Sequence, residues 1–152
     1  MRKLLTFLIF YLSLFLYHPA KAQVAIEWQH TYGGSSSEGA MSMDQTSDGG
    51  TIVIGTTTSS NGDVTLPHGA IDLWLIKLDS LGNLQWQKTM GGTSNDFGTA
   101  VKVASDGGYI ITGSTYSNNG DVSGNNGGYD VWVVKTNAAG EFFVGRRHDG
   151  VS

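Results

Sequence analysis

Short runs of alternating apolar and polar residues recur along this chain, and beyond residue 22 no stretch sustains a helical period. In residues 25–32, Ile26, Trp28 and Tyr32 share one face, and in residues 84–90, Leu84, Trp86 and Met90 do the same. A period of two is the pattern of a half-buried strand. Met41, Met43 and Gln45 alternate with Ser42 and Asp44, and Thr99, Val101 and Val103 alternate with Ala100 and Lys102, which predicts a second strand in each stretch. Residues 51–55 and 109–113 are nearly continuous β-branched runs, which read as the deepest strand, covered on both faces. Residues 72–78 and 130–136 combine a tryptophan with branched residues and predict a fourth strand. Turn chemistry separates these runs. Gly33-Gly34 and Gly91-Gly92 end the first strand, and Asp48-Gly49-Gly50 and Asp106-Gly107-Gly108 make tight turns, because glycine takes positive φ without steric cost. Variable polar loops fill 56–71 and 114–129.

The pairs just named lie at one constant spacing. Laying residues 28–85 over 86–143 needs no gap, and 23 of the 58 positions are identical. Trp28 falls on Trp86, Asn61-Gly62-Asp63-Val64 on Asn119-Gly120-Asp121-Val122, and Asp72, Trp74 and Lys77 on Asp130, Trp132 and Lys135. A fixed period of this length is the signature of a repeat architecture. Four short antiparallel strands per unit predict an all-β fold of tandem propeller-type blades. The reading divides the chain into repeat 1 (28–85), repeat 2 (86–143) and the start of a truncated third repeat (144–152), within a repeat region of 23–152.

Residues 1–22 read as a secretory signal peptide. Met1-Arg2-Lys3 is basic, residues 4–17 are apolar, and Ala20-Lys21-Ala22 is a small-x-small cleavage site. The apolar run is shorter than the roughly 20 residues of a membrane span, so the expected product is secreted, extracellular or at the bacterial cell surface. Cleavage removes Arg2, Lys3 and Lys21, leaving 6 basic against 13 acidic residues, a net charge of −7 over 130 residues. That balance excludes a nucleic-acid footprint and attraction to anionic membrane surfaces. There is no cysteine, hence no disulfide framework, and stability rests on packing, ions or partners.

The run Gly91-Gly92-Thr93-Ser94-Asn95-Asp96-Phe97-Gly98, then Asp106-Gly107-Gly108-Tyr109-Ile110-Ile111-Thr112-Gly113, then Asp130-Val131-Trp132-Val133-Val134-Lys135, resembles the SBBP-type β-propeller repeat of secreted bacterial proteins. The resemblance covers both units, from about Trp28 to Phe143. It implies a large extracellular or surface protein without an assigned activity. The chain departs from that pattern in holding only two full units and no C-terminal sorting domain. Four units of 58 residues need about 232 residues, against 130 here. Three arrangements stay open: a fragment of a longer propeller, chains that assemble into a closed ring through blade faces, or two units stacked as a sandwich.

Candidate chemistry is sparse. Calcium is the one ion the residues suggest, with Asn61, Asp63 and Asp72 and their copies Asn119, Asp121 and Asp130 as oxygen donors from loops. The competing reading is an Asn-Gly turn with aspartates capping strands. Asp48 and Asp106 read as turn caps bonding their own backbone. The four tryptophans occupy equivalent strand positions, which favours packing over sugar stacking. Glu38 and Asp96 sit at equivalent loop positions, as a repeated structural element requires. No catalytic signature or cofactor motif emerges. The expectation is a non-enzymatic secreted protein with a structural or adhesive role, binding an extracellular protein or glycan through loops 56–71 and 114–129. The alternative is part of a glycan-active enzyme whose catalytic residues lie in missing blades.

Overall fold

The computed structural model describes residues 25–142. The signal-peptide reading and the start of a third unit at 144–152 lie outside them. The described chain is all-β, with seven strands and no helix: β1 (Glu38–Gln45), β2 (Thr51–Thr57), β3 (Asp72–Leu78), β4 (Leu84–Met90), β5 (Asp96–Val103), β6 (Tyr109–Thr115) and β7 (Asp130–Thr136). They form two antiparallel meanders, a four-stranded sheet in the order β1-β2-β3-β4 and a three-stranded sheet in the order β5-β6-β7. The two sheets do not close into a propeller. Among these residues no helix is long and apolar enough to cross a membrane.

The turns are those the residues require. Gly49 and Gly107 both sit at φ +81, and the carboxylates of Asp48 and Asp106 accept the N–H of Gly50 and Gly108 at 3.0 Å. Each aspartate also holds a lysine from the third strand of its own sheet, Lys77 at 2.9 Å and Lys135 at 2.8 Å. The hydrogen bonds from Thr46, Lys77 and Gly50 hold the Asp48 carboxyl far below the usual range, and Lys135 lowers that of Asp106. Both first strands carry an irregularity at the same place, between Ala40 and Ser42 in β1 and between Gly98 and Ala100 in β5.

Two expectations are corrected. Residues 25–32 form no strand, whereas their equivalent β4 pairs with β3, Leu73 opposite Met90 and Lys77 opposite Trp86. A strand exists only where a neighbour completes its hydrogen-bond ladder. β4 finds β3, and no described strand precedes residues 25–32. Each sheet therefore begins about ten residues later than the sequence unit. Phe142 bridges to Thr136 just as Leu84 pairs with Leu78, and thus starts the corresponding pairing in the second sheet. In the first sheet the deepest strand is not β2 but β3, in which all seven residues are buried, whereas in the second sheet β6 is the most buried strand, as expected, with one of its faces covered. β3 is flanked by β2 and β4, and both its faces are covered.

The larger core lies between the sheets. Ile52, Ile54, Leu73, Leu75 and Met90 from the first sheet meet Val101, Tyr109, Ile111 and Val134 from the second, with Trp86 and Trp132 at the margin. β5 is the strand that crosses this gap, packing on β1, β2 and β3. Burying side chains of this kind contributes about 1.5–3 kcal/mol each. A smaller core on the opposite face of the first sheet joins Val64, Trp74, Ile76 and Leu78, backed by Tyr32, Val53 and Leu84. Here Tyr32 packs on the small core and its hydroxyl donates to the Gly82 carbonyl, while Trp28 stands against Gly82. Trp86 stands against Gly140 in the same way.

Candidate functional site

The loops 56–71 and 114–129 emerge at one end of each sheet, where the Gly-Gly segments arrive. Lying outside the strands, each glycine pair carries N–H groups with no ladder partner, and nearby side-chain oxygens satisfy them. Asp63 accepts the Gly33 N–H at 3.0 Å, and Asn61 accepts that of Ser35 at 2.8 Å. Asp121 and Asn119 do the same for Gly91 at 3.1 Å and Thr93 at 2.9 Å. In return the Asp63 and Asp121 N–H groups donate to the Gly33 and Gly91 carbonyls. The Asn-Gly-Asp loop is thus a clasp on the incoming chain.

The other acids brace the same loops. Asp72 accepts N–H groups of His68 at 2.7 Å and Gly69 at 3.1 Å. Burial pushes its carboxyl above the usual range, against the lowering effect of those two donors. Asp130 accepts the Asn126 N–H at 2.7 Å. Glu38 takes the Gly34 N–H and the Thr57 hydroxyl, and Asp96 takes the Gly92 N–H, the Thr115 hydroxyl and the Ser117 hydroxyl. Burial works against the charge of Glu38, but its hydrogen bonds from Ser59, Gly34 and Thr57 outweigh it and hold the carboxyl low. The six calcium candidates therefore sit in two separate sets of clasps and caps. His68 of the first loop reaches Asp121 of the second at 3.8 Å. Among the described residues, no group of three or more histidines or carboxylates is placed to hold a metal ion.

Of the tryptophans, Trp74 is buried and donates its ring N–H to Gln87 at 2.8 Å, and Trp86 and Trp132 pack against the inter-sheet core. Trp28 is partly exposed and begins a short aromatic series, 5.8 Å from His30, which in turn lies 6.1 Å from Tyr32.

One group escaped the sequence reading. Phe97, Tyr116 and Tyr129 cluster at the loop end of the second sheet, with Tyr129 5.9 Å from Phe97 and 5.2 Å from Tyr116 between ring centres, both pairs tilted near 60°. The two tyrosines are more than half exposed, at 53% and 55%. The positions 58 residues earlier hold Gly39, Thr58 and Ile71, so the first sheet has no such group. The available signal was aromatic gains at three non-identical positions, two of them, Tyr116 and Tyr129, at the ends of one loop. The loop itself is tied down by amides. Asn118 accepts the Gly124 N–H at 3.0 Å, and Asn125 donates to the Thr115 carbonyl at 3.0 Å and accepts the Gly127 N–H at 2.6 Å. Exposed rings with hydroxyl and amide groups beside them offer an apolar face and a polar edge together. No family model and no curated protein matches the chain.

Proposed function

We propose that this chain is a non-enzymatic binding module exported by residues 1–22, built of propeller-type blades, whose loop end engages an extracellular glycan. The observation that supports it is the exposed Phe97–Tyr116–Tyr129 group on an amide-braced loop. Tyrosine supplies rigid, amphipathic contact area at little conformational cost, and an apolar ring face beside hydrogen-bonding groups suits a sugar. The net charge of −7 after cleavage of residues 1–22 favours a neutral glycan over an acidic one. Loop-borne function on a rigid scaffold is the usual arrangement, and the argument is made from the site because fold alone does not fix function.

The test is affinity electrophoresis of the exported chain in gels containing β-glucan, xylan, mannan or soluble chitin oligomers. Retardation by at least one of them is expected, lost in the double variant Tyr116→Ala/Tyr129→Ala. No retardation in any gel, or retardation that survives the double substitution, overturns the reading.

A further inference from the structure

The two sheets meet through a pair of faces, and each has an equivalent elsewhere on the same molecule that no sheet covers: one lies open on the second sheet, and the other, on the first sheet, is closed over β3 by Val64 and Tyr32 and open along β1. Strand registers define them. The first sheet presents Gly39-Thr56-Leu73, Ser42-Ile54-Leu75 and Asp44-Ile52-Lys77 toward the second. The second answers with Gly98-Gly113-Trp132, Val101-Ile111-Val134 and Val103-Tyr109-Thr136. The equivalents of the first face are Phe97-Ser114-Val131, Ala100-Thr112-Val133 and Lys102-Ile110-Lys135 on the far side of the second sheet. There Val131 is 82% and Val133 62% exposed. The equivalents of the second face are Ala40-Gly55-Trp74, Met43-Val53-Ile76 and Gln45-Thr51-Leu78. Of these, Ala40, Val53, Gly55, Trp74, Ile76 and Leu78 line a mainly apolar groove of about 250 Å³, with Tyr32 and Glu38 also on its wall, and Met43 on the same face is 69% exposed.

We propose that a second copy of this chain docks head to tail, its Ile110, Thr112, Val131 and Val133 seated in the groove of the first, repeating between molecules the contact made inside each one. Three features single out this occupant. The first is volume. Inside the chain, Ile54 stands so close to Gly98 that a Cβ there would lie 2.6 Å from it. Between copies the equivalent pair is Thr112 against Ala40. The larger residue on one side is matched by the smaller on the other, so the same separation accommodates both. The second is charge. Inside the chain, Asp44 accepts the Val103 N–H at 2.9 Å and pairs with Lys102 at 3.4 Å. The equivalent of Asp44 is Lys102 and that of Lys102 is Asp44, so the charges that meet between copies are again opposite, with Asp44 shared between the Lys102 of its own chain and that of the copy. The third is the backbone. The Asp96 N–H donates to the Ile71 carbonyl at 2.8 Å, bridging the sheets. The atoms that face each other between copies are the Glu38 N–H and the Tyr129 carbonyl.

The contact is heterologous, so it closes a ring when the rotation permits and extends otherwise. Two copies bring four sheets, the number in the smallest propellers. The aromatic group at Phe97, Tyr116 and Tyr129 lies at the rim of this face. Its equivalents Gly39, Thr58 and Ile71 stay partly exposed although the second sheet covers the first, so docking and glycan binding do not exclude each other.

Light scattering on a sizing column, with the exported chain from about 1 to about 100 μM so that a dissociation constant of about 10 μM is bracketed, is the test. A discrete multiple of the protomer mass is expected. The variant Val131→Lys/Val133→Lys, charged on one face, and the variant Met43→Lys/Val53→Lys, charged on the other, each weaken association at least about 100-fold, because an unpaired charge is driven into the contact. Mixed together, they recover a one-to-one dimer, since each retains one intact face. The recovered dimer also shows that both variants are folded. A monomeric wild type overturns the proposal, as does an assembly or aggregate unchanged by Val131→Lys/Val133→Lys, or a mixture of the two variants that stays monomeric while both have the wild-type circular dichroism. The Tyr116→Ala/Tyr129→Ala variant keeps the wild-type mass, which separates this result from the fate of the glycan reading.

Discussion

Leu73 and Leu75 in β3 and Val131 and Val133 in β7 occupy equivalent positions on equivalent strands, yet the leucines are fully buried and the valines stand in solvent. The residue types hardly differ in character. The difference is that the second sheet lies over the first and nothing described lies over the second. A continuous apolar run such as 73–76 or 131–134 therefore identifies faces that gain by being covered, while the neighbours decide whether they are. The comparison extends to the lysines. Lys77 is buried between Asp48, the Leu78 carbonyl and Gln85, whereas its equivalent Lys135 meets Asp106 and the Thr136 carbonyl at a more open position.

The sharpest break in this symmetry comes from truncating the two faces. Leu75→Ala leaves a cavity in the inter-sheet core and costs about 2–5 kcal/mol. Val133→Ala, its equivalent, stays within about 0.5 kcal/mol in the monomer. Urea unfolding monitored by tryptophan fluorescence at low protein concentration reads both. Equal losses would mean that the exposed face is covered in solution, which is itself the result that docking predicts at high concentration. The lysines follow. Lys77→Ala removes hydrogen bonds to a charged group from a buried position and costs about 1.5–3 kcal/mol. Lys135→Ala, more exposed, costs about 1 kcal/mol or less. The same denaturation series orders the two, and an equal loss would show that the open position of Lys135 does not weaken its bonds.

Much of this was legible in the residues. The Asp-Gly turns, the strand runs and the equivalence of the two halves follow from period and turn chemistry, and Asp48 and Asp106 cap their turns as that chemistry requires. The limits of each sheet were not legible. Residues 25–32 and 84–90 carry the same alternation, and only the presence of β3 beside the second makes a strand of it. The burial of β3 was hidden for the same reason, since its cover comes partly from Tyr32 and partly from the second sheet. At the loop end, the acids could be read as ligands or caps, and the backbone N–H groups that occupy them are visible only in three dimensions. The aromatic group was missed because attention to identical positions hides residues that differ between the halves.

A smaller effect tests the inter-sheet contact directly. Gly98→Ala places a methyl group against Ile54, and overpacking of a filled core costs about 1–3 kcal/mol. Ile54→Val in the same chain removes part of the obstacle, so the double variant recovers stability relative to the sum of the single changes. Ala40→Gly, at the equivalent groove position, costs only about 0.5–1 kcal/mol through backbone entropy. Thermal unfolding of the four chains measures the coupling, and strict additivity of Gly98→Ala and Ile54→Val would place the two residues apart.

The mildest lever is pH. The Val103 N–H, with Lys102, lowers the carboxyl of Asp44, the Asn83 side chain lowers that of Asp79, and Asp48, Asp106 and Glu38 are lowered as described. A carboxyl depressed by folding contributes stability that is present above its unfolded value, 3.8 for aspartate and 4.5 for glutamate, and lost as pH falls toward its folded value. Asp72 runs the other way. Burial raises it, so its charge opposes folding above its ordinary value and protonation relieves that strain. The lowered group outnumbers it, and stability should fall as pH drops below about 4. Asp44 and Asp72 separate the two signs. Asp44→Asn flattens the acid limb by removing a carboxyl that folding holds low, while Asp72→Asn steepens it by removing a carboxyl that gains from protonation. Urea midpoints of the three chains between pH 3 and 7 decide the matter, and parallel curves would mean that neither carboxyl changes its proton affinity on folding.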